Sequence, residues 1–455
     1  MKNFTLLVGL VLITGLVSCN KDDDTQTEFE KVNNWIYANM DYYYFWTDEL
    51  PSKPTTNVDP ELFFEELLSD KDRFSFIYED YQELINLLNG ITLESGFEFK
   101  LYLESEDNEN VIMQLTYIKA NSPATALGLK RGDIIYKIND TQLTTSNYQN
   151  LLSDMNSTYT AEYRRYDLEN EVFEEQGSVS IAPITYSENP FLLDTIYEIE
   201  GKKIGYLIYT FFSPGGSELI YDNQMDEIFQ SFKSAGIQDL ILDLRFNSGG
   251  SETSVKNLTS LMVKGATTSD LVFKKTYNED VQQSILNDDR LGANFLNVRF
   301  SSKTQNIGNQ LSTGTVYIIT SSRSASASEV TINSLKPYME VFIVGDTTVG
   351  KDVGSITLTD EDDASNNWAI QPIVVKLVNN NDEDYPNGFN PDVVLEDRSL
   401  ILKPLGDIEE PLLANSLAAI GIQASRVDLS PGPQMRLIHS SLDDKIINGR
   451  FILEQ

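Results

Sequence analysis

The sequence contains one cysteine, Cys19, and one histidine, His439, among its 455 residues. A single cysteine cannot form an internal disulfide, and one cysteine with one histidine cannot build a Cys/His zinc site. A cysteine-protease arrangement lacks its nucleophile. Basic residues are also scarce, since 34 Lys and Arg stand against 69 Asp and Glu and the formal net charge is −35. Nucleic-acid binding requires a basic surface, so we expect no nucleic-acid partner.

Long apolar runs are absent, and the most continuous one covers residues 4–17. This run is too short to span a bilayer comfortably, but it follows Lys2 and has the length of a signal-peptide core. It ends in Leu16-Val17-Ser18-Cys19, which resembles the lipobox of bacterial lipoproteins. That resemblance implies a lipoprotein signal peptide over residues 1–18 and lipidation of Cys19. A plain signal peptide with an incidental cysteine is the alternative.

Residues 19–27 contain three consecutive aspartates and no apolar cluster. A stretch of this composition stays solvated, so we interpret it as an acidic tether. It also resembles the acidic export signal of some Gram-negative lipoproteins that are displayed on the cell surface. We therefore expect a lipid-anchored protein of the bacterial cell envelope, on the outer membrane and exposed at the cell surface. A periplasm-facing anchor is the alternative.

Residues 28–90 predict a small helical domain. Phe29, Val32, Ile36 and Met40 recur at helical spacing, and Asp59-Pro60 is a typical helix start. An aromatic cluster lies between these two segments, at residues 42–46. We interpret the cluster as core, with a ligand-binding cluster, such as a glycan site, as the alternative.

Residues 91–183 carry a second pattern. Ser122-Pro123 can begin a short helix, Gly128 can end it, and Gly132-Asp133 can turn the chain into a strand over residues 134–138. The whole segment resembles the PDZ domains of bacterial proteases. The resemblance implies a peptide-binding loop whose backbone N–H groups receive a peptide C-terminus by strand addition. That loop would consist of Gly96, Phe97, Glu98 and Phe99.

Residues 184–410 alternate strand and helix patterns, which favours an α/β domain with a partly parallel sheet. Residues 411–455 form a C-terminal extension that begins with an apolar helix at 412–420. The predicted strands cover residues 204–212, 237–244, 316–320 and 341–344, and the predicted helices cover 221–235 and 327–335.

The candidate chemistry lies in this third block. A serine–histidine pair is not expected, because His439 lies in the C-terminal extension and the sequence has no Gly-x-Ser-x-Gly elbow. A lysine can act as the base instead. The run Ser-Ala-Ser-Ala-Ser-Glu at 324–329 follows a predicted strand and leads into a predicted helix. After a further strand, Lys351 lies between Gly350 and Gly354.

Together these segments resemble the S41 peptidases, the carboxyl-terminal processing or tail-specific proteases. The separation between Ser326 and Lys351, 25 residues (351 − 326), is that of the family's catalytic pair. The resemblance implies Ser326 as nucleophile, Lys351 as general base and an oxyanion hole formed by the backbone N–H groups of Gly250 and Ala327. It also implies an α/β core of the ClpP/crotonase type. Three further motifs support it, at residues 204–207, 242–250 and 388–393.

One position departs from the family pattern, because Ser355 stands where many members have a glutamine that orients the lysine amine. We predict a serine endopeptidase that cleaves polypeptides through an acyl-enzyme, with the PDZ-like domain recognising or gating the substrate, its C-terminus included. A catalytically inactive, peptide-binding envelope lipoprotein is the alternative. No cofactor or metal is expected. The acidic loops at 360–363 and 379–384 miss the EF-hand spacing, so we interpret them as solvated loops, with a calcium site as the alternative.

Overall fold

The computed structural model describes residues 27–52, 54–105, 109–422, 435–443 and 450–453. The predicted signal peptide, Cys19 and all of the predicted tether except Thr27 lie outside the described residues. The described chain forms a helical N-terminal domain, a PDZ-like β domain and an α/β core, which confirms the predicted fold class. Within these ranges, no helix is both long and apolar enough to cross a bilayer.

The N-terminal domain contains the predicted helices. The first begins at a capping box, in which the side chains of Thr27 and Glu30 each accept a hydrogen bond from the other residue's backbone N–H. The second begins after Asp59, whose carboxylate accepts the N–H of Glu61. The helices are α1 (Glu28–Tyr43), α2 (Pro60–Glu66) and α3 (Tyr81–Leu88).

The aromatic cluster belongs to the core of this domain. Tyr44 is fully buried, and its hydroxyl donates to Asp72 at 2.9 Å and accepts from the backbone N–H of Ser69 at 2.9 Å. Strand β1 (Phe76–Tyr78) then pairs antiparallel with a strand of the α/β core at 369–371. The N-terminal domain is therefore joined to the core by main-chain hydrogen bonds as well as by side chains.

The PDZ-like domain follows the predicted local pattern. Ser122 caps the short helix, Gly128 has a positive φ of 72°, and the predicted strand over 134–138 is present. A separate pair of strands, β2 and β9, lies at the boundary with the α/β core. The elements are β2 (Ile91–Glu94), β3 (Phe97–Leu103), β4 (Val111–Ile118), α4 (Pro123–Ala126), β5 (Ile134–Ile138), β6 (Thr141–Gln142), α5 (Tyr148–Asp154), β7 (Tyr159–Asp167), β8 (Val172–Ile181) and β9 (Ile184–Ser187).

The main sheet of the α/β core has the order β10-β11-β12-β16-β17-β22. From β11 onward each neighbouring pair is parallel, while β10 is antiparallel to β11. This confirms the expected partly parallel sheet. Its elements and the helices between them are β10 (Phe191–Ile199), β11 (Lys202–Tyr209), α6 (Ile220–Ala235), β12 (Asp239–Asp243), β16 (Thr315–Thr320), α10 (Ala327–Leu335), β17 (Glu340–Gly345) and β22 (Val393–Val394).

Helices cover both faces of this sheet, because alternate residues of each strand point to opposite sides. Leu240 and Leu242 of β12 belong to one apolar cluster with residues of α6 and α10. Ile241, between them, packs in a second cluster with Leu413 of α11 (Pro411–Ile420), the predicted C-terminal helix. Burial on both faces explains the nearly continuous apolar runs of these strands.

A second sheet of the core has the order β13-β24-β18-β21-β14-β15. Here the structure adds to the sequence prediction, because two stretches of the extension after residue 421 form strands. Of these, β23 joins the PDZ-like sheet and β24 lies within this second core sheet. The remaining elements are β13 (Gly249–Ser251), α7 (Glu252–Met262), β14 (Leu271–Tyr277), α8 (Glu279–Asn287), α9 (Gly292–Leu296), β15 (Asn297–Arg299), β18 (Val353–Ser355), β19 (Leu358–Thr359), β20 (Ala369–Gln371), β21 (Ile373–Val378), β23 (Leu437–Ser440) and β24 (Arg450–Ile452).

Candidate active site

Ser326 lies at the turn between β16 and α10. Its backbone has φ 55° and ψ −114°, a conformation that costs a non-glycine residue about 1–3 kcal/mol. Its side chain is fully buried, and Oγ has no hydrogen-bond partner among the described residues. The turn is fixed to the end of β12, because Ser324 Oγ donates to the carbonyl of Leu244 at 2.8 Å. A strained backbone thus holds the Ser326 hydroxyl in a defined position.

Lys351 is the second predicted catalytic residue, and its side chain is 1% exposed. Nζ lies 4.9 Å from the centre of the Phe74 ring, which belongs to the N-terminal domain. The neighbouring Arg73 donates from Nη2 to the carbonyl of Gly350 at 2.7 Å. A Cβ at Gly350 would lie 2.4 Å from the carbonyl oxygen of Pro386, so only glycine fits. The lysine loop is therefore positioned from two sides.

Glu329 connects the serine turn with the lysine loop. One carboxylate oxygen accepts the backbone N–H groups of Ser326 and Lys351, each at 2.9 Å. The other accepts the N–H of Gly350 at 2.6 Å and the hydroxyl of Thr348 at 2.5 Å. Burial raises the pKa of Glu329 above its usual value, although these four donors act in the opposite direction. One buried carboxylate thus sets the relative position of the two predicted catalytic residues.

The predicted oxyanion-hole residues, Gly250 and Ala327, lie in the two elements β13 and α10. Gly250 is in β13 with φ 134°, and a Cβ there would lie 1.9 Å from the carbonyl oxygen of Phe212. Ala327 is the first residue of α10, where backbone N–H groups point out of the helix end. Ser328 Oγ donates to the carbonyl of Asn247 at 3.0 Å, which holds the start of α10 against the turn that precedes Gly250.

Ser355, the residue that departs from the family pattern, is 1% exposed in β18. Its hydroxyl accepts a hydrogen bond from Nε2 of the fully buried Gln371 at 3.2 Å. Oε1 of Gln371 in turn accepts the Thr357 hydroxyl at 2.9 Å. The fold therefore brings an amide side chain to Ser355 from a different strand, β20.

The predicted PDZ loop borders a cavity of about 420 Å³ that extends to the α/β core. A Cβ at Gly96 would lie 2.0 Å from Cβ of Ser122, so this loop requires glycine. Phe97, Glu98 and Phe99 all line the cavity, and so does Ser248, two residues before Gly250. The cavity thus joins the PDZ loop to the neighbourhood of the predicted oxyanion hole.

The acidic residues of this cavity surround one lysine. Nζ of Lys119 forms ion pairs with Glu94 at 2.6 Å, Glu98 at 3.0 Å and Glu188 at 2.7 Å. Lys119 and Glu98 are each 2% exposed. Three carboxylates therefore meet at the ammonium group of Lys119 beside the predicted PDZ loop.

His439 lies in β23, which pairs with β3 of the PDZ-like sheet. Its ring is 6.5 Å from the ring of Phe99 in β3 and 6.4 Å from that of Tyr148 in α5.

Sequence reasoning missed the roles of four residues at the site. Glu329 had a local signal, because a Ser followed three residues later by Glu is the spacing of a capping box. Arg73 and Phe74 had none, since they contact a loop 277 residues further along the chain. Gln371 also had none, because its approach to Ser355 depends on how β20 is placed.

The fold consists of a helical N-terminal domain, a PDZ-like domain and an α/β core that holds the candidate site. Three family models match the chain: Peptidase family S41 at residues 203–395, Peptidase S41 N-terminal domain at 31–76 and PDZ domain at 114–158. The predicted resemblance to the S41 peptidases is thus confirmed over most of the α/β core and part of the N-terminal domain.

Two similar proteins illustrate this assignment. The "Probable CtpA-like serine protease" of Staphylococcus aureus (strain COL) is 24% identical over 374 residues, which cover 78% of this chain and 64% of that protein. The match thus spans less than two thirds of the relative's length. A crystal structure assigned to an S41 protease from Bacteroides fragilis NCTC 9343 superposes with a TM-score of 0.71 and 24% identity, over 85% of this chain and 97% of that one. This structural superposition supports the fold described above.

Proposed function

We propose that this protein is a serine endopeptidase that cleaves polypeptides with Ser326 as nucleophile and Lys351 as general base. The observation that carries the proposal is the buried, strained Ser326, whose turn shares one carboxylate, Glu329, with the Lys351 loop. Burial of a lysine favours its neutral form, which is the form that can accept a proton. The family-model match and the relatives' names support a peptidase.

In the first step, neutral Lys351 accepts the proton of Ser326 Oγ as this oxygen attacks the carbonyl carbon of a peptide bond. Negative charge develops on the carbonyl oxygen and is stabilised by the backbone N–H groups of Gly250 and Ala327. The C–N bond then breaks as the Lys351 ammonium returns the proton to the leaving nitrogen. This leaves an acyl-enzyme ester on Ser326 and a free amine product.

In the second step, Lys351 accepts a proton from a water molecule that attacks the ester. The tetrahedral intermediate collapses, the proton returns to Ser326 Oγ, and the acid product leaves. Neutral Lys351 and the Ser326 hydroxyl are restored, so protons and bonds balance over the cycle.

Single substitutions test the pair. We expect Ser326→Ala and Lys351→Ala each to lower kcat/KM for an unstructured polypeptide by at least about 10³-fold. Ser322→Ala and Lys264→Ala change exposed residues of the same types and serve as matched controls. Equal cleavage by all five proteins would exclude the pair. Peptide binding without Ser326-dependent cleavage would instead favour the inactive, peptide-binding alternative.

We also propose that Cys19 carries a lipid that anchors the enzyme to the outer membrane, facing the cell surface. The Leu16-Val17-Ser18-Cys19 motif and the acidic residues after it support this location. In cells fed an alkyne-tagged fatty acid, the wild type should be labelled and Cys19→Ala should not. Added proteinase should degrade the protein in intact cells. Labelling that is independent of Cys19 would contradict the anchor, and protection from proteinase would place the protein on the periplasmic side.

A further inference from the structure

The C-terminal segment, by which we mean residues 435–443 and 450–453, returns to the PDZ-like domain and then to the core. Strand β23 pairs antiparallel with β3, with Leu437 opposite Tyr102 and Ser440 opposite Lys100. Because β3 directly follows the Gly96 loop, this pairing is the strand addition by which PDZ domains bind peptides. The chain therefore places its own strand where a peptide would bind.

Side chains of the segment fill the groove beside β3. The His439 ring lies between Phe99 of β3 and Tyr148 of α5. Ser441 Oγ lies 2.8 Å from the backbone N–H of Phe99, from which it accepts, and 2.6 Å from the Glu98 carboxylate, to which it donates. The main chain and the side chains of the groove are thus both engaged by the segment.

Acidic side chains lie beside the PDZ loop. Glu94, Glu98 and Glu188 each form an ion pair with Lys119, and Glu98 also accepts the hydroxyl of Ser441. A hydroxyl donates to such a cluster, whereas the free carboxylate of a chain terminus in its place would face other carboxylates.

The segment also contacts the nucleophile turn. Arg323, three residues before Ser326, forms a two-bond ion pair with Asp443, with Nε to Oδ1 at 2.8 Å and Nη2 to Oδ2 at 2.9 Å. The strand in the PDZ groove is therefore linked through Asp443 to the turn that carries Ser326.

Strand β24 lies between the two strands that border the candidate active site. Gly250 in β13 pairs with Phe451, Ser355 in β18 pairs with Ile452, and the N–H of Leu453 donates to the carbonyl of Ser355 at 3.3 Å. Strand β18 begins two residues after Lys351. In this sheet β24 therefore fills a gap one strand wide between the oxyanion-hole strand and the strand that follows the lysine.

We propose that the C-terminal segment is an internal ligand that occupies both the PDZ groove and this gap, and that a polypeptide substrate binds as a strand by displacing it. The proposal rests on the function proposed above for the same site. The apparent affinity for a peptide is then the intrinsic affinity multiplied by the fraction of molecules in which the groove is free. Cleavage is therefore slow until a substrate strand replaces the segment.

The test uses substitutions that weaken the contacts of the C-terminal segment and leave Ser326 and Lys351 unchanged; we call these proteins the loosened variants. The double variant Ser441→Ala/Asp443→Ala removes the contacts to Phe99, Glu98 and Arg323, and His439→Ala is a second, independent variant. Asp382→Ala is the matched control, because it removes an ion pair with Lys274 elsewhere on the surface.

The first readout does not depend on cleavage. In full-length proteins that also carry Ser326→Ala, we measure the affinity for a fluorescent peptide with the sequence of residues 436–443 and the hydrogen exchange of β3 amides. Both loosened variants should bind the peptide about tenfold more tightly and exchange β3 amides faster. The control should match the parent protein. Unchanged affinity and exchange in both loosened variants would overturn the proposal.

The second readout uses proteins with Ser326 intact. The loosened variants should show a kcat/KM for a polypeptide about tenfold above the parent value. Tighter peptide binding with no Ser326-dependent cleavage in any variant would reject the proposed peptidase function and leave the internal ligand supported. Cleavage that depends on Ser326 but is equal in all proteins, with equal peptide affinity, would reject the internal ligand alone.

Discussion

At the scale of single residues, Glu329 determines how the predicted catalytic residues are placed. Its carboxylate is the common acceptor for N–H groups of Ser326, Gly350 and Lys351. Removing a buried acceptor leaves donors unpaired, which costs about 1–3 kcal/mol for each group that finds no other partner.

The isosteric substitution Glu329→Gln tests this role. An amide NH₂ would face backbone donors in place of one oxygen, so the serine turn and the lysine loop should shift relative to each other. A displacement of about 1 Å can lower a rate by roughly 10²-fold, and we expect a loss of that order in kcat, with a lower Tm. The exposed Glu340→Gln should behave like the wild type. Normal kcat in Glu329→Gln would refute the positioning role.

Gly250 is a second position at which the fold depends on one residue type, because only glycine fits there. In Gly250→Ala, the new Cβ would lie 1.9 Å from the carbonyl oxygen of Phe212, so β13 must move. We expect kcat to fall by at least about 10²-fold, because the predicted oxyanion donor is displaced. Gly201→Ala also introduces Cβ at a positive φ but meets no atom within 4 Å, and it controls for backbone strain. Similar kcat values for both variants would contradict the assignment of Gly250.

At the scale of elements, local sequence signals predicted helices and strands well. The predicted helix over 327–335 and strand over 134–138 are present with the same bounds. These segments have caps, turn glycines and periodic apolar residues that act within a few positions. The strands at 437–440 and 450–452 were not predicted, because each is short and exists through pairing with a distant strand.

The second core sheet shows the same dependence on distant partners. Strand β18 spans three residues, and its neighbours β21 and β24 begin 20 and 97 residues after it begins (373 − 353 and 450 − 353). No local pattern in three residues can indicate such a pairing. The bond from Gln371 to Ser355 likewise follows from where β20 is placed and has no counterpart in sequence spacing.

At the scale of the whole molecule, the PDZ-like domain is attached to the core through a buried ionic cluster. Arg131 of the PDZ-like domain donates to Asp397 at 3.0 Å, and Nζ of Lys100 donates to the carbonyl of Asp397 at 2.6 Å. Burial opposes ionisation of Asp397, but Arg131, Lys100 and Arg245 hold its pKa well below the usual range. Burial lowers the pKa of Lys100 to about 8.

This last shift predicts a pH dependence of stability. Between about pH 8 and the higher pKa of the unfolded chain, unfolded Lys100 binds more protons than folded Lys100, so the free energy of unfolding rises with pH. We expect wild type to gain on the order of 2 kcal/mol relative to Lys100→Met over pH 8–10, measured by urea denaturation. Lys264→Met, at an exposed position, should run parallel to the wild type. A wild-type curve parallel to that of Lys100→Met would refute the shift.

The sequence by itself determined the family, the order of the modules and the identity of Ser326 and Lys351 as candidates. These three predictions depend on residue types and short spacings along the chain, so they require no knowledge of distant contacts. The tertiary structure decided what surrounds the pair: Phe74 against Lys351, Gln371 against Ser355 and the C-terminal segment in the PDZ groove. Each of these contacts joins residues far apart in the chain, so packing and strand pairing, not local preference, bring them together.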